Sequence, residues 1–413
     1  MNKRIVITGL GAITSLGIGI EETWNNYLAG RSGINVVHSF VPTHSTILAG
    51  RIAHNNSFTH YLSEDKINQV DRFTTLMMIA SRIALNDSKI DVEDESENIG
   101  VYIGSGFGGT QTVDEQNRVL YAKGPKKVHP RLMQNNITNA ASGEVAIELG
   151  LRGANVAFST GFCSGAYAIT QAFNALQLSD LVAILAGGTD APILPTIFNS
   201  LSNSGKLSTR TDLPLEACRP FDKERDGFVL GEGAGAIVLE TLDHASERGA
   251  HIYAELVGFA MTYNTNYHKM TLRNKVGGMA KTMRLALKDA EVEPSEINYI
   301  NAYGIGTQED DLAETNAIKE VFGKRAAKLM VSSSKSALGY AIAASDVVEA
   351  CLCCLAIEHG IVPPTLNYEV PNGKCDLDYV PTKPRRKQLN AVLSNTFGLD
   401  GNFVSLVFRK FVH

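Results

Sequence analysis

Cysteine is scarce in this sequence: six residues in a chain of 413 are too few for a disulfide scaffold. This scarcity favours a reduced compartment, the cytoplasm. No run of about 20 apolar residues is present, so we expect no membrane span. The apolar run at residues 5–7 is too short for the core of a signal peptide. A net charge of −5 gives no general reason to expect nucleic-acid binding.

Short β-branched runs alternate with segments of helical spacing, which predicts a layered α/β fold. Residues 156–172 and 331–356 resemble each other weakly, because each contains a predicted strand, a glycine-bearing turn and a helix of small residues. We therefore divide the chain into two halves, residues 1–250 and 251–413. The predicted strands are 4–9, 99–104, 155–160, 181–187, 235–240, 253–258, 297–302, 329–333, 391–395 and 404–408, and the predicted helices are 64–84, 165–178, 280–290, 312–321 and 342–357.

Cys163 lies where a predicted strand ends, the chain turns and a helix begins. The free N–H groups and the dipole at a helix start stabilise negative charge and lower the pKa of a thiol. The same N–H groups can hold an oxyanion. This placement predicts a reactive nucleophile. A small buried cysteine that packs the start of a helix is the open alternative.

Segments spread over nearly the whole chain resemble the elongating β-ketoacyl-ACP synthases of type II fatty-acid or polyketide synthesis. The longest match, residues 219–233, is too long and too ordered to arise by chance. The resemblance implies the thiolase fold, with two similar halves in a layered α-β-α-β-α arrangement. It also implies dimerisation and a phosphopantetheinylated acyl carrier protein as partner, with no cofactor and no metal. The other matching segments are 6–11, the turn at Cys163, 207–210, 331–336, 362–367 and 394–398.

The chain lacks both histidines on which the chemistry of that family depends. In the family they support decarboxylation of malonyl-ACP and stabilise the enolate and the oxyanion. Here Tyr303 and Tyr340 occupy the two motif positions. Tyrosine, with an ordinary pKa of about 10, is a poor base at pH 7, and each lost acid–base group costs about 10²–10⁴-fold in rate. The tyrosines either fill the cavity or donate one hydrogen bond each. The histidines that follow Cys163, none in a motif position, are His244, His251, His268, His359 and His413.

Two further departures lie where the resemblance implies substrate contacts. Ile305 replaces a threonine that helps to hold the phosphopantetheine arm, while Thr307 is retained. The gate loop of the family, Phe-Gly-Phe-Gly-Gly-Thr-Asn, is reduced here to the six residues 397–402. It keeps Phe397 but carries Leu399 in place of the second phenylalanine and gains a charge at Asp400.

Lys335, Glu314 and Glu349 are retained. In active relatives the lysine belongs to the catalytic site. In this chain we interpret Lys335 as one member of a buried structural ion pair, with Glu349 or Glu314 as its partner.

This pattern resembles the chain-length factor, or KSβ, of type II polyketide or polyene biosynthesis. Such a subunit forms a heterodimer with a catalytic ketosynthase, KSα, shapes the acyl tunnel and is inactive alone. Most of these subunits replace the cysteine, whereas this chain keeps Cys163. An acyl-ACP-dependent acyltransferase or a weakly active ketosynthase therefore stays open as an alternative, as does a homodimeric scaffold without an acyl ligand. The resemblance places tunnel-lining residues at Phe107, Gln111, Thr112, Leu132 and Met133.

Two other patterns have structural explanations. The glycine-rich residues 104–109 follow a strand as a dinucleotide loop does, but their spacing is imperfect and we expect no helix directly after them. The three cysteines within residues 351–354 lie in an apolar helix and point to different faces, so we interpret them as packing residues rather than metal ligands.

Overall fold

The computed structural model describes residues 3–37, 47–53, 56–265 and 271–412. Its strands are β1 Ile5–Thr14, β2 Gly17–Ile18, β3 Asn35–Val37, β4 Ile47–Gly50, β5 Ile99–Gly104, β6 Asn155–Phe158, β7 Ala183–Asp190, β8 Leu230–Gly231, β9 Gly233–Thr241, β10 Ala254–Tyr263, β11 Ile297–Asn301, β12 Met330–Ser332, β13 Ile361–Val362, β14 Arg385–Arg386, β15 Ala391–Phe397 and β16 Asn402–Arg409. Its helices are α1 Ile20–Leu28, α2 Glu64–Gln69, α3 Arg72–Ser88, α4 Val92–Glu95, α5 Thr110–Lys123, α6 Leu132–Asn136, α7 Ala140–Leu149, α8 Ser164–Leu178, α9 Pro195–Asn203, α10 Leu242–Glu247, α11 Leu272–Asp289, α12 Gln308–Phe322, α13 Lys335–Leu338 and α14 Ala343–His359.

A long mixed sheet runs through the molecule in the order β12-β11-β15-β16-β10-β1-β9-β7-β5-β6, with β2 paired to β1. The central strands β1 and β10 are antiparallel. Outward from β1, the next two pairings are antiparallel and the last two are parallel. Outward from β10, the same sequence of directions recurs. One topology is therefore repeated on both sides of the central pair, as the weak internal similarity of the sequence predicted.

Two local predictions were wrong. The helix predicted over 64–84 is two helices, because Asp71 adopts an extended conformation and its carboxylate accepts the N–H of Phe73 to cap α3. A helix does follow the glycine-rich residues 104–109 directly, since α5 begins at Thr110. No described residue of α5 is fully buried. Its sequence therefore lacks the apolar periodicity by which a helix is recognised.

Helix α14 is a deeply buried helix near the site. Its residues from Ala343 to Ile357 are all buried, including the three cysteines interpreted as packing residues. The helix approaches the backbone of β7 and α8 closely: a Cβ atom at Gly188 would lie 2.2 Å from the carbonyl oxygen of Ala343, and one at Gly165 would lie 2.1 Å from it. No helix in the described ranges is both long and apolar enough to cross a bilayer.

We predict that Gly188→Ala lowers the free energy of unfolding by at least about 1–3 kcal/mol, because the added methyl group overlaps the carbonyl of Ala343. Gly277→Ala, on the exposed face of α11, is the control. Among the described residues, no atom outside the helix's own backbone and the adjacent residues lies within 4 Å of its new methyl group, so the change should stabilise the protein by up to about 1 kcal/mol. Urea unfolding followed by circular dichroism measures both. Equal stability of the two variants would contradict the close packing of α14.

Candidate functional site

Cys163 lies on a sharp turn between β6 and α8, at the position predicted from the sequence. Gly161 permits the turn, since its φ of +68° lies in the left-handed region. The cysteine is fully buried, and its Sγ donates a hydrogen bond to the carbonyl oxygen of Asn402 at 3.1 Å. The sulfur is therefore placed as a nucleophile would be, but it is covered.

The expected lowering of the thiol pKa was wrong. Burial raises the pKa of Cys163 well above its ordinary value, and the nearby carboxyl groups of Asp346 and Asp400 raise it further. The backbone N–H of Gly398 and the charge of Lys335 lower the pKa, but by less. The thiol is neutral at pH 7, because desolvation disfavours the thiolate and outweighs the effect of the helix start.

Asp346, which the sequence reasoning missed, lies directly against the start of α8. Its Oδ2 accepts the N–H of Ala166 at 3.0 Å, in the first turn of the helix. That N–H is one of the groups expected to stabilise a thiolate at Cys163. An acidic residue within the apolar run 342–357 was the available signal, but periodicity alone does not show which helix it faces.

The gate loop folds over the turn that carries Cys163. Asp400 Oδ2 would lie 1.9 Å from a Cβ atom at Gly161. Asn402 donates from its backbone N–H to Asp400 Oδ1 and from its side chain to the carbonyl of Thr160, both at 3.2 Å. These contacts close the loop over the sulfur.

Tyr303 and Tyr340 fill the space beside Cys163. They are 1% and 0% exposed, and their ring centroids lie 5.7 Å apart at an interplanar angle of 86°. Within the described ranges, neither hydroxyl makes a hydrogen bond of acceptable distance and angle, although the two hydroxyls lie close enough to shift each other's pKa. Burial raises the pKa of both hydroxyls well above the ordinary value, so neither can act as a base at neutral pH. The packing favours cavity filling over acid–base chemistry.

Lys335 forms its buried ion pair with Glu349, which was the first of the two partners proposed from the sequence. Lys335 Nζ lies 2.6 Å from Glu349 Oε1, and both side chains are 2% exposed. The same ammonium group lies 5.3 Å from the ring centroid of Tyr303 and 5.6 Å from that of Tyr340. These are cation–π distances, so each tyrosine packs against the lysine through its ring face.

Glu314 positions the turn that carries Tyr303. Its carboxylate accepts the N–H groups of Tyr303 at 2.9 Å and Gly304 at 2.8 Å, and the side-chain amide of Asn395 at 3.2 Å. Burial raises the pKa of Glu314 to about 7. Its partners are two backbone N–H groups and the side-chain amide of Asn395 rather than Lys335, which supports a structural role.

A cavity of about 490 Å³ lies in front of the site and is lined in part by Phe162, Phe397 and Leu399. Phe162 also stacks on Tyr340, with ring centroids 6.1 Å apart. Lys275 forms an ion pair with Asp310 at 2.7 Å within the cavity wall. Among the described residues that line this cavity, neither Cys163 nor the two tyrosines appears.

Ile305 and Thr307 lie behind the cavity wall rather than in it. Ile305 is fully buried in the core cluster that contains Tyr303. The Thr307 hydroxyl accepts the N–H of Asp310 at 3.1 Å and so caps α12. Contact between either residue and a pantetheine arm stays a prediction.

Among the predicted tunnel residues, Phe107 packs against the core cluster that contains Tyr303 and Tyr340. The carboxylate of Asp190 accepts the N–H of Gly106 at 3.1 Å and that of Phe107 at 2.8 Å. These backbone donors, which would cradle a phosphate in a dinucleotide loop, are thus occupied by a side chain of the protein itself.

The other four predicted tunnel residues lie on α5 and α6. Gln111 donates to Glu115 at 2.9 Å, and Thr112 donates to the buried Asp71 at 2.6 Å. Leu132 is half-buried and Met133 is 67% exposed. Whether they line a tunnel stays a prediction.

The histidines that the structure describes beyond Cys163 lie elsewhere. His268 and His413 fall outside the described residues. The three remaining rings contact partners remote from Tyr303 and Tyr340, namely Glu240 for His244, Glu358 for His251 and Trp24 for His359.

Two known protein families together match most of the chain. Residues 2–245 match the family described as "Beta-ketoacyl synthase, N-terminal domain", and residues 253–369 match "Beta-ketoacyl synthase, C-terminal domain". A 3-oxoacyl-[acyl-carrier-protein] synthase 2 of Synechocystis sp. is 40% identical over 410 residues, which is 99% of this chain and 98% of that protein. The protein of the same name in Staphylococcus aureus strain N315 is 39% identical, with 99% of each chain covered.

Two solved structures resemble the whole chain. One is described as a type II PKS acyl-carrier protein in complex with its ketosynthase bound to the hexaketide, AntDE:AntF; it has a TM-score of 0.91 and 32% identity, and 100% of each chain is covered. The other, the ishigamide ketosynthase/chain length factor, has a TM-score of 0.89 and 29% identity, again with 100% of each chain covered. These likenesses confirm the predicted thiolase fold.

We predict that Tyr303→Phe and Tyr340→Phe each raise the free energy of unfolding by about 1 kcal/mol, because each removes a buried hydroxyl that lacks a partner. The control is Tyr299→Phe. The hydroxyl of Tyr299 lies 2.9 Å from Ser332 Oγ, so its loss should lower the free energy by about 1 kcal/mol. Urea unfolding of the three variants gives the comparison. A loss of stability at Tyr303 or Tyr340 equal to that at Tyr299 would show that their hydroxyls are paired.

Proposed function

The chain belongs to the β-ketoacyl synthase family, and we propose that within this family it is a chain-length-factor-like subunit that does not elongate acyl chains alone. It pairs with a catalytic ketosynthase, KSα, in type II polyketide or polyene biosynthesis. There it shapes the acyl tunnel and stabilises the dimer. The observation that carries this proposal is the pair of buried tyrosines, Tyr303 and Tyr340, packed against Lys335 where the family has histidines.

The chemistry of elongation supports the proposal. Condensation needs a nucleophile, and it needs groups that stabilise the charge developing as malonyl-ACP loses carbon dioxide. Tyr303 and Tyr340 carry no positive charge, and Lys335 is neutralised by Glu349. Cys163 is protonated and covered by the gate loop. Each of these features lowers the rate of condensation independently of the others.

The acyl carrier protein is the second proposed partner. The cavity in front of the site reaches the gate loop through Phe397 and Leu399, and its wall carries Lys206 and Lys275. We propose that this cavity receives the phosphopantetheine arm. Lys275 is already paired with Glu309 and Asp310, so Lys206 is the lysine of this wall that we expect to meet an acidic partner. A ketosynthase in complex with its acyl carrier protein is among the structures that resemble this chain.

A weakly active ketosynthase or acyltransferase that uses Cys163 is the second candidate function. It is favoured by the retained cysteine and by the relatives of about 40% identity, whose names are those of 3-oxoacyl-ACP synthases. In this alternative Cys163 accepts the acyl group, and the pantetheine thiol of the carrier protein leaves with the proton of Sγ.

Intact-protein mass spectrometry distinguishes the candidates. The purified chain, alone, is incubated with acyl-ACP and then with malonyl-ACP, beside a Cys163→Ser control that locates any adduct. For a chain-length-factor-like subunit we expect no acyl adduct and no extended product. An adduct that is never extended would favour acyl transfer, and one that grows by two carbons would overturn the proposal.

A further inference from the structure

The start of α8 has backbone N–H groups that could activate a thiol, but the side chains of Asp346 and Asp400 oppose this activation. A helix start offers about four N–H groups without helical partners, and these stabilise an anion placed at the N-cap. Cys163 is at the N-cap of α8. An active nucleophile at this position would share its charge with the first-turn amides.

Asp346 takes one of those amides. It lies in the first turn of α14, is 2% exposed, and accepts the N–H of Ala166 through Oδ2 at 3.0 Å. A carboxyl oxygen already bonded to this N–H competes with the sulfur for the same donor. The Ala166 amide is therefore occupied by Asp346, whose own pKa is raised well above its ordinary value by burial, and is not free for a thiolate.

Asp400 approaches the sulfur from the opposite element, the gate loop. A Cβ atom at Gly398 would lie 2.4 Å from Asp400 Oδ1 and 3.1 Å from Cys163 Sγ. The carboxylate and the sulfur thus flank one backbone position and lie within a few ångströms of each other. A negative charge at this separation in a buried site disfavours a second one.

The hydrogen bond that the sulfur donates acts in the same direction, while the backbone N–H of Gly398 acts in the opposite direction and lowers the pKa of the thiol. Sγ donates to the carbonyl of Asn402, and this contact requires the proton on sulfur. The other titratable groups that face the thiol are Lys335, Tyr167, Tyr303 and Tyr340. Of these, Lys335 is the cation, and it is paired with Glu349.

We infer that Asp346 and Asp400 are positioning residues that hold Cys163 as a neutral thiol, Asp346 by occupying the Ala166 amide and Asp400 by placing a carboxylate beside the sulfur. The chain thus keeps the cysteine, but the two carboxyl groups disfavour its reactive thiolate form. This inference does not depend on the proposed function, since it applies equally to a partner subunit and to a slow enzyme.

The test is a titration of the thiolate by its ultraviolet absorbance. Each protein is compared with its own Cys163→Ser derivative, so that the difference reports Cys163 without any need for a reagent to reach it. In the unaltered chain we expect a midpoint above the ordinary value of about 8.5. In Asp400→Asn and in Asp346→Ala we expect the midpoint to fall by about one pH unit or more.

Asp346→Asn is the matched control. Its side-chain oxygen can still accept the N–H of Ala166, so the midpoint should fall less than in Asp346→Ala. Circular dichroism verifies that each variant folds. Asp400 lies on a half-exposed loop, so Asp400→Asn carries the test even where a change at the buried Asp346 prevents folding.

Three results would overturn the inference. A midpoint near or below 8.5 in the unaltered chain would show that the thiol is not held neutral. An unchanged midpoint in Asp400→Asn would remove the role of its carboxylate. An unchanged midpoint in folded Asp346→Ala would remove the role of Asp346. None of these results bears on whether the chain elongates acyl groups, which the mass-spectrometric experiment decides.

Discussion

The buried ion pair between Lys335 and Glu349 is the interaction on which the rest of the site depends. Removing one partner of such a pair leaves an uncompensated charge in the core and costs about 3–5 kcal/mol. The pair joins α13 to α14, and the faces of both site tyrosines pack against its ammonium group. Retention of the lysine and the glutamate in a chain that lacks the histidines follows from this structural requirement, whether or not the site catalyses a reaction.

Much of the fold could be predicted from the sequence, because buried strands produce continuous apolar runs. Strand β5 has the predicted bounds, and α8 begins within one residue of its prediction. The errors arose where local polar chemistry overrode periodicity. Asp71 breaks one helix by capping the next, and α5 shows no apolar stripe because none of its described residues is fully buried.

The site was predictable only in part, for a different reason. Motifs located Cys163, Lys335 and the tyrosines, and charge balance suggested the partner of the lysine. The pKa of the thiol was mistaken because it depends on residues far apart in the chain. Asp346 and Asp400 reach the turn at Cys163 from α14 and from the gate loop, and no spacing rule connects positions separated by about 200 residues.

The packing of Tyr303 and Tyr340 against each other and against Lys335 also bears on how such a chain could change over generations. A histidine in place of either ring would leave a void and remove one of the two faces that contact the buried ammonium group. A single return to histidine at either position is therefore expected to cost packing energy before the second histidine could contribute to acid–base chemistry.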